Sequence, residues 1–150
     1  MAIFEYTDTF DFPASAVFAQ LVDLSARPDW IHGTFYEIRV TPEGSARLGT
    51  SYFESAKFSG FKSEKTLRVT DFEQDRLLTL ASDEAAEQPW RESYRIEPLS
   101  EDTCRVHFMV DVGNVPKVAE FFMRNQMKKD QPQNAARLKS LLATRAQLGS

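Results

Sequence analysis

Two carboxylates, one lysine and two tyrosines occupy alternate positions in segments that read as β-strands. Tyr52 and Glu54 belong to one segment, Lys65 to the next, and Glu92 and Tyr94 to a later one. Residues two apart in a strand point to the same face of a sheet. Ionisable groups held close together can orient a ligand or transfer a proton. The pattern therefore indicates a set of polar side chains on an otherwise apolar face.

A short turn predicts how the first two segments pair. If Ser59-Gly60 is a two-residue hairpin loop, Glu54 lies opposite Lys65 and Tyr52 lies opposite Leu67. An opposed carboxylate and ammonium stabilise a sheet modestly. We keep two interpretations of this pair, a structural ion pair at the rim of the sheet and a polar anchor for a ligand carbonyl or hydroxyl.

Glu92 has no opposing cation in the predicted register. A three-residue turn at Ser100 to Asp102 places Glu92 opposite Val110 and Tyr94 opposite Phe108. A buried carboxylate without a cation has a raised pKa, which would suit general acid–base catalysis. We therefore expect Glu92 either to have a raised pKa or to receive a hydrogen bond from a donor that the register does not identify.

The histidines and the cysteine indicate no metal or nucleophile site. His32 and His107 lack metal-ligand spacing with each other or with Cys104. Alternation places His107 on the solvent face, and we interpret Cys104 as a small buried side chain. No glycine-rich phosphate loop is present, and we predict neither a metal ion nor a cofactor.

Periodicity predicts the elements that position these groups, in the order β-α-α-β-β-β-β-β-β-α. The predicted strands are 2–12, 34–41, 48–58, 61–73, 76–82, 89–98 and 103–112, and the predicted helices are 14–24, a short helix over 25–30, and 115–148. Ser25 and Asn114 are candidate caps of the last two helices. Continuing the alternation through the turn at 74–75 sets Val69 opposite Leu80 and Asp71 opposite Leu78.

The C-terminal helix is the longest element, and we expect the sheet to wrap around it. Its predicted apolar face consists of residues at helical spacing: Ala119, Met123, Met127, Asn134, Leu138, Leu141 and Leu148. Val118, Phe121 and Phe122 widen this zone in the first turns. Pro132 interrupts the pattern, and the helix either bends there or ends and restarts with Asp130 or Gln131 as a new cap.

Composition limits the classes of partner. The 150 residues are long enough for one domain, 1–150, and the content of 42% hydrophobic and 27% charged residues is ordinary for a globular protein. A net charge of -4 argues against nucleic acid or an anionic membrane as the main partner. We expect no membrane span and no signal peptide. The single cysteine favours a cytoplasmic location.

Several short motifs together resemble the START-like, pollen-allergen-like helix-grip superfamily. They are Phe10 to Ala14, Val17-Phe18, Leu21, Asp23, Pro28 to Trp30, Leu48-Gly49, Val69 with Phe72, and the terminal Asn134, Leu138-Lys139, Leu141 pattern. The branch that the chain resembles most is that of polyketide cyclase/dehydrase and lipid-transport proteins. The resemblance implies an α+β fold in which a seven-stranded antiparallel sheet grips the C-terminal helix around a hydrophobic cavity. It implies no common catalytic motif.

These observations lead to one main functional hypothesis and two alternatives. The main hypothesis is that the cavity binds a small hydrophobic or aromatic ligand. The alternatives are a polyketide cyclase or dehydratase that uses the same cavity, and a protein-interaction or stress module without a ligand. The predicted ligand-binding residues are Tyr52, Glu54, Lys65, Leu67, Leu80, Trp90, Glu92, Tyr94, Phe108, Phe122, Met123 and Met127.

Overall fold

The computed structural model describes residues 2–58 and 60–148 and has the α+β helix-grip architecture that the sequence predicts. The elements, in chain order, are β1 (Ala2–Phe10), α1 (Ala14–Leu21), a 3₁₀ helix (Leu24–Asp29), β2 (Thr34–Thr41), β3 (Ser51–Phe58), β4 (Phe61–Glu73), β5 (Leu77–Ala81), β6 (Trp90–Pro98), β7 (Cys104–Val112) and α2 (Lys117–Leu148). Strands β2 and β4 have the predicted bounds, and the other elements differ by a few residues at their ends.

All seven strands form one antiparallel sheet in the order β1-β7-β6-β5-β4-β3-β2. The predicted pairs Glu54–Lys65 and Tyr52–Leu67 are confirmed, as are Tyr94–Phe108, Glu92–Val110 and Ile96–Val106. Ser59 of the predicted hairpin turn lies outside the described residues. Side chains alternate strictly on both strands of a hairpin. A correct pairing at the turn therefore predicts which side chains of both strands face the core.

The predicted pairing of Asp71 with Leu78 is wrong. Val69 does lie opposite Leu80, but a β-bulge follows, and Asp71 then lies opposite Thr79. A bulge places two residues of one strand opposite one residue of its partner, which shifts every later pair. Phe72 rather than Asp71 consequently lies opposite Leu78 and packs against the core.

Strand β1 attaches the sheet to α2 through Asp8, which breaks the apolar alternation of this strand. The Nζ atom of Lys139 in α2 lies 2.9 Å from Asp8 Oδ2. The Gln131 side chain also donates a hydrogen bond to the Phe4 carbonyl, at 3.3 Å. Helix α2 packs mainly against β1, with smaller contacts to α1 and the 3₁₀ helix.

Helix α2 is continuous through Pro132, so of the two alternatives for this proline, a break with a restart at Asp130 or Gln131 is wrong. Its buried residues are Ala135, Leu138 and Leu142, all in its second half. Spacings of three, four and seven residues place them on one face. The predicted stripe was correct for Leu138, whereas Leu148 at the end of the helix is 82% exposed.

Both predicted caps are wrong. Helix α2 begins at Lys117, and Asn114 lies three residues earlier, with a φ of 55°. The Asn114 amide donates instead to the carbonyl of Glu87, at 3.0 Å. The 3₁₀ helix begins one residue before Ser25, whose hydroxyl donates to Asp23 at 2.9 Å. A capping residue type near a predicted boundary therefore did not identify the cap.

Candidate ligand site

The sheet residues of the predicted site lie on the face that covers the core. Strands β3, β4, β5, β6 and β7 contribute Tyr52, Glu54, Lys65, Leu67, Leu80, Trp90, Glu92, Tyr94 and Phe108. Most of these side chains are buried, while Trp90 and Lys65 are partly exposed. The alternation that predicted this set follows from the pleat of the strands.

Glu92 has a cationic partner that the strand register does not contain. Arg27 of the 3₁₀ helix donates from Nη2 to Glu92 Oε2 at 2.7 Å. The Tyr94 hydroxyl donates to the same oxygen at 2.8 Å, and Trp90 Nε1 donates to Oε1 at 2.8 Å. Burial by itself would raise the pKa of Glu92, but the charges of Arg27 and Lys65 and the hydrogen bonds from Arg27 and Tyr94 outweigh it and lower the pKa to about 2. Of the two alternatives for Glu92, the raised pKa is therefore wrong, and the hydrogen bond from a donor outside the strand register is confirmed.

Glu54 and Lys65 form a second ion pair beside the first. Lys65 Nζ lies 3.5 Å from Glu54 Oε2, and the Tyr52 hydroxyl donates to Glu54 Oε1 at 2.7 Å. Glu54 is only 1% exposed, so this pair lies inside the covered face rather than at an exposed rim. Lys65 Nζ also lies 3.6 Å from the centroid of the Trp90 ring, a cation–π contact that links the two pairs.

The tyrosines of this network stay neutral at ordinary pH. Burial is the main cause that raises the pKa of Tyr52 and of Tyr94, and the neighbouring carboxylates raise it further although Arg27 opposes them. Glu92 is ionised over the same range because its pKa is lowered. These three groups are therefore poor candidates for exchanging a proton near neutral pH. They form a fixed set of hydrogen-bonding groups.

Arg27 and Trp30 were not predicted as site residues. Arg27 is 3% exposed and its guanidinium lies 5.0 Å from the centroid of the Tyr52 ring. Trp30 is 2% exposed and contacts the Tyr94 ring edge to face, at 6.1 Å between centroids. Strand alternation carries no signal for either residue because Arg27 lies in the 3₁₀ helix and Trp30 directly follows it. The available clue in the sequence was an arginine that follows the apolar residues Leu24 and Ala26 and precedes Trp30.

The first half of α2 supplies a second, apolar part of the site. Met123 and Met127 are half-buried and pack with Trp90 and Val110 against a small cluster of Ala2, Phe4 and Val112. Trp90 belongs to this cluster and, through its indole N–H, to the Glu92 network. The half-buried apolar side chains consequently lie directly beside the buried charged groups.

Phe122 does not face the sheet, so its place in the predicted apolar stripe is wrong. It is 65% exposed, and its neighbours Val118 and Phe121 are 71% and 64% exposed. At 3.6 residues per turn, Phe122 lies roughly 160° around the helix from Leu138. Apolar residues occur on both sides of the first turns of α2, and the sequence pattern alone did not fix which side faces inward.

Two surface pockets lie away from these residues. One, of about 340 Å³, lies beside the second half of α2 and is lined by Asp29, Ala136, Arg137, Ser140, Leu141 and Thr144. The other, of about 360 Å³, lies on the outer face of the sheet and is lined by Thr7, Arg95, Glu97, Arg105 and His107. Neither pocket contains a predicted ligand-binding residue. The predicted site itself is a cluster of buried and half-buried side chains.

The remaining candidate residues have structural surroundings. His107 lies 3.2 Å from Glu5 and 3.1 Å from Thr7 on the outer face, and the Cys104 thiol is buried, which raises its pKa. Among residues 2–58 and 60–148, no three His, Cys, Asp or Glu side chains are grouped so that they could hold a metal ion. No helix in this part of the chain is long and apolar enough to cross a membrane.

Solved structures of distant sequences have the same fold. A START superfamily protein from Mycobacterium smegmatis superposes with a TM-score of 0.76 at 13% identity, over 96% of this chain and 99% of that one. Norcoclaurine synthase from Thalictrum flavum, in complex with dopamine and hydroxybenzaldehyde, gives a TM-score of 0.70 at 12% identity, over 95% and 86% of the two chains. At these identities the similarity establishes the fold alone.

The di-domain ARO/CYC BexL from the BE-7585A biosynthetic pathway gives a TM-score of 0.68 at 15% identity, over 93% of this chain and 46% of that one. No curated protein matches the sequence. The sequence does match the family described as polyketide cyclase/dehydrase and lipid transport, over residues 1–143. Family and fold are together consistent with a hydrophobic ligand or with a polyketide cyclase role. Since the match covers nearly the whole sequence, the chain belongs to the polyketide cyclase/dehydrase and lipid-transport family.

Proposed function

We propose that the protein binds a small hydrophobic or aromatic molecule between its sheet and the first half of α2. The observation that carries this proposal is the position of Trp90. Its ring packs against the same small cluster of Ala2, Phe4 and Val112 as the half-buried Met123 and Met127, while its indole N–H donates to the buried Glu92. An apolar wall with a few fixed polar groups at one side is the usual composition of a small-molecule site.

The apolar residues would supply most of the affinity. Burying apolar surface contributes about 25 cal/mol per Å², and methionine side chains adapt readily to ligands of different shape. Ligand entry would displace the side chains of Met123, Met127 and Trp90 from the small cluster that they share with Phe4 and Val112. The ion pairs beneath them would then orient the ligand.

The cyclase or dehydratase alternative receives less support from this network. That hypothesis used Glu92 as a carboxylic acid with a raised pKa, whereas its pKa is lowered to about 2. Tyr52 and Tyr94 have raised pKa values and hold their protons in hydrogen bonds to Glu54 and Glu92. Binding without proton transfer by these groups therefore agrees better with the geometry.

Native mass spectrometry of the purified protein, followed by denaturing extraction, tests the proposal. We expect a co-purified hydrophobic compound, or a rise in melting temperature with naphthalene-type or fatty probes. A ligand-free mass together with no thermal shift from any probe would contradict binding and favour an interaction module.

A pair of variants locates the site on α2. Met123→Ala is expected to weaken probe binding several-fold, because it removes a side chain from the apolar wall. Phe122→Ala is the matched control, since the adjacent Phe122 is 65% exposed on the outward side. Equal effects of the two substitutions on probe affinity would contradict a site on the inner face of the helix.

A further inference from the structure

The first turns of α2 present a group of large apolar side chains to solvent. Val118, Phe121 and Phe122 are between 64% and 71% exposed. Spacings of three and four residues place Phe121 and Phe122 beside Val118 on the helix surface. The two phenylalanine rings pack on each other edge to face, at 5.7 Å between centroids. Single exposed apolar residues are ordinary, whereas a contiguous group of them marks an interaction surface.

The same side of the helix carries lysines. Lys128 and Lys129 follow Phe121 and Phe122 by seven residues, which is about two turns, so each lysine lies on the side of the corresponding phenylalanine. Lys117 lies one turn before Phe121. All three lysines are exposed. We define the α2 patch as Lys117, Val118, Phe121, Phe122, Lys128 and Lys129.

Positive charge dominates this part of the helix. Between residues 117 and 129 the sequence has four cations and a single carboxylate, Glu120. The Oε1 atom of Glu120 lies 3.5 Å from Nη2 of Arg124, so the fourth cation already compensates this carboxylate. Arg124 is also held against β1, because its Nη1 donates to the Ile3 carbonyl at 3.3 Å. The three lysines of the α2 patch therefore give it an excess of positive charge.

An anionic bilayer matches this combination of groups better than a protein surface does. The apolar side chains stand on a convex helix, and lipid can pack around them without a preformed groove. A second copy docked on the same face by a two-fold axis would bring the lysines of both copies together, and like charges repel. Helices that lie at a membrane surface combine inserted phenylalanines with lysines at the level of the headgroups.

We propose that the α2 patch docks the protein reversibly onto membranes that contain anionic lipid. The apolar side chains would insert between the headgroups, and the lysines would contact lipid phosphates. The chain's net charge of -4 argues against such a membrane only for the chain as a whole. This inference does not rest on the proposed function, because Met123 and Met127 pack towards the sheet on the other side of these turns.

An acidic loop limits the strength of the interaction. The sequence has three carboxylates between residues 83 and 87. This loop adjoins the start of α2, since the Asn114 amide donates to the Glu87 carbonyl. Its carboxylates oppose the attraction of the lysines to anionic lipid. We therefore expect weak binding that added salt reduces further.

Vesicle co-sedimentation of the intact protein tests the proposal. We expect binding to vesicles in which about a third of the phosphatidylcholine is replaced by phosphatidylglycerol, and little binding to phosphatidylcholine alone. Replacing both phenylalanines, Phe121→Ser with Phe122→Ser, should weaken binding about tenfold because it removes the inserted apolar surface. Lys128→Gln with Lys129→Gln should weaken it by a similar factor.

A matched pair of substitutions separates the α2 patch from net charge. Arg95→Gln with Arg105→Gln makes the same change in net charge at two exposed positions on the outer face of the sheet. This variant should bind within about twofold of the wild type, because charges more than a Debye length from the membrane are screened. An unchanged melting temperature of each variant shows that its fold is intact.

Tryptophan fluorescence locates the inserted residues. In Phe122→Trp, the emission should shift to shorter wavelength with anionic vesicles, and brominated lipid should quench it. Leu148→Trp is the control, since Leu148 is 82% exposed at the other end of α2, and its emission should not change. The wild-type signal of Trp30 and Trp90 is subtracted from both spectra.

Each contrary outcome overturns the proposal. It fails if anionic vesicles do not bind the protein, or if the arginine and lysine variants lose binding equally. Vesicle binding that leaves the Phe122→Trp emission unchanged would overturn the assigned surface. A dimer in sedimentation velocity that the two serine substitutions dissociate would assign the α2 patch to a second copy instead. Probe binding should persist in the patch variants, so this proposal and the proposed function fail independently.

Discussion

Replacing Arg27 with methionine is expected to lower the free energy of unfolding by about 3–5 kcal/mol. The substitution leaves the Glu92 carboxylate, which is 4% exposed, without the cation that lies 2.7 Å away. Removing one partner of a buried ion pair is costly because the remaining charge is uncompensated. Lys65 also lowers the pKa of Glu92 and therefore still compensates part of its charge in the variant. We expect the loss of unfolding free energy to lie near the lower end of this range.

The pH dependence gives an independent estimate of the same interaction. The pKa of Glu92 is about 2 in the folded protein, against an ordinary value of 4.5. This difference corresponds to about 3 kcal/mol of stability at neutral pH. Because the folded pKa is the lower one, the contribution is complete above about pH 5 and is lost as the pH falls towards 2. In Arg27→Met the pKa of Glu92 should rise, and this acid-dependent loss should become smaller.

Urea unfolding followed by circular dichroism between pH 7 and pH 3 measures both effects. Arg105→Met is the matched control, because Arg105 and its partner Glu97 form an ion pair at 3.2 Å with side chains 48% and 62% exposed. Such surface pairs contribute about 0–1 kcal/mol. The double substitution of Arg27 and Glu92 by methionine should cost less than the sum of the two single substitutions.

The reasoning is refuted if Arg27→Met costs no more than Arg105→Met at pH 7. Additive effects in the double variant would refute it as well, since they would show that the two side chains are not coupled. Between pH 5 and pH 3, the unfolding free energy of the wild type should fall more steeply than that of Arg27→Met. Equal slopes would contradict the lowered pKa of Glu92.

Four further substitutions, one of them a control, test the packing of the helices. Gln20→Met should raise the free energy of unfolding by about 1–3 kcal/mol, because both amide atoms of Gln20 are buried without a partner among the described residues; a loss of stability in urea unfolding would show that they are satisfied. Leu138→Ala should cost about 2–5 kcal/mol, whereas Leu148→Ala at an 82% exposed position should cost less than about 0.5 kcal/mol, and similar costs would contradict the assigned face of α2. Pro132→Ala should stabilise the protein by about 1–3 kcal/mol by restoring a backbone hydrogen bond within α2, and a lower melting temperature would show that the proline is needed for packing.

Strand pairing could be predicted where turns are short and alternation is strict. The Glu54–Lys65 and Tyr94–Phe108 pairs follow from turns of two and three residues, because a hairpin turn fixes the register on both sides. The bulge after Val69 could not be predicted. One extra residue changes the pairing without leaving a pattern in the apolar positions.

The polar network could be predicted only in part. Alternation placed Glu54 and Glu92 on the inner face, because the face that a side chain occupies in a strand can be predicted from the neighbouring residues alone. The partner of Glu92 is Arg27, which lies 65 residues earlier on a different element, and no local pattern connects them. The sequence could therefore not decide between a raised pKa of Glu92 and an unidentified donor, since the sign of the pKa shift depends on a cation that the register does not contain.

The inward face of α2 could be predicted only in part. Helical spacing placed Met123 and Met127 on the predicted stripe, but apolar residues also occur on the other side of the first turns, and we added Phe122 to the predicted apolar zone as well. The contact of the helix with β1 shows that Met123 and Met127 face inward, as the spacing predicted, and that Phe122 does not. Packing partners distant in sequence therefore decide which apolar face is buried.

The central claim is that a hydrophobic ligand binds between the sheet and the first half of α2. The most direct measurement is methyl NMR of protein labelled at the methionine methyl groups, titrated with 2-acetylnaphthalene. We predict that the signals of Met123 and Met127 shift with one common dissociation constant, while Met109, whose neighbours Phe108 and Val110 face inward, stays unchanged. Saturable binding that leaves the Met123 and Met127 signals unmoved, or that moves Met109 instead, would contradict this location.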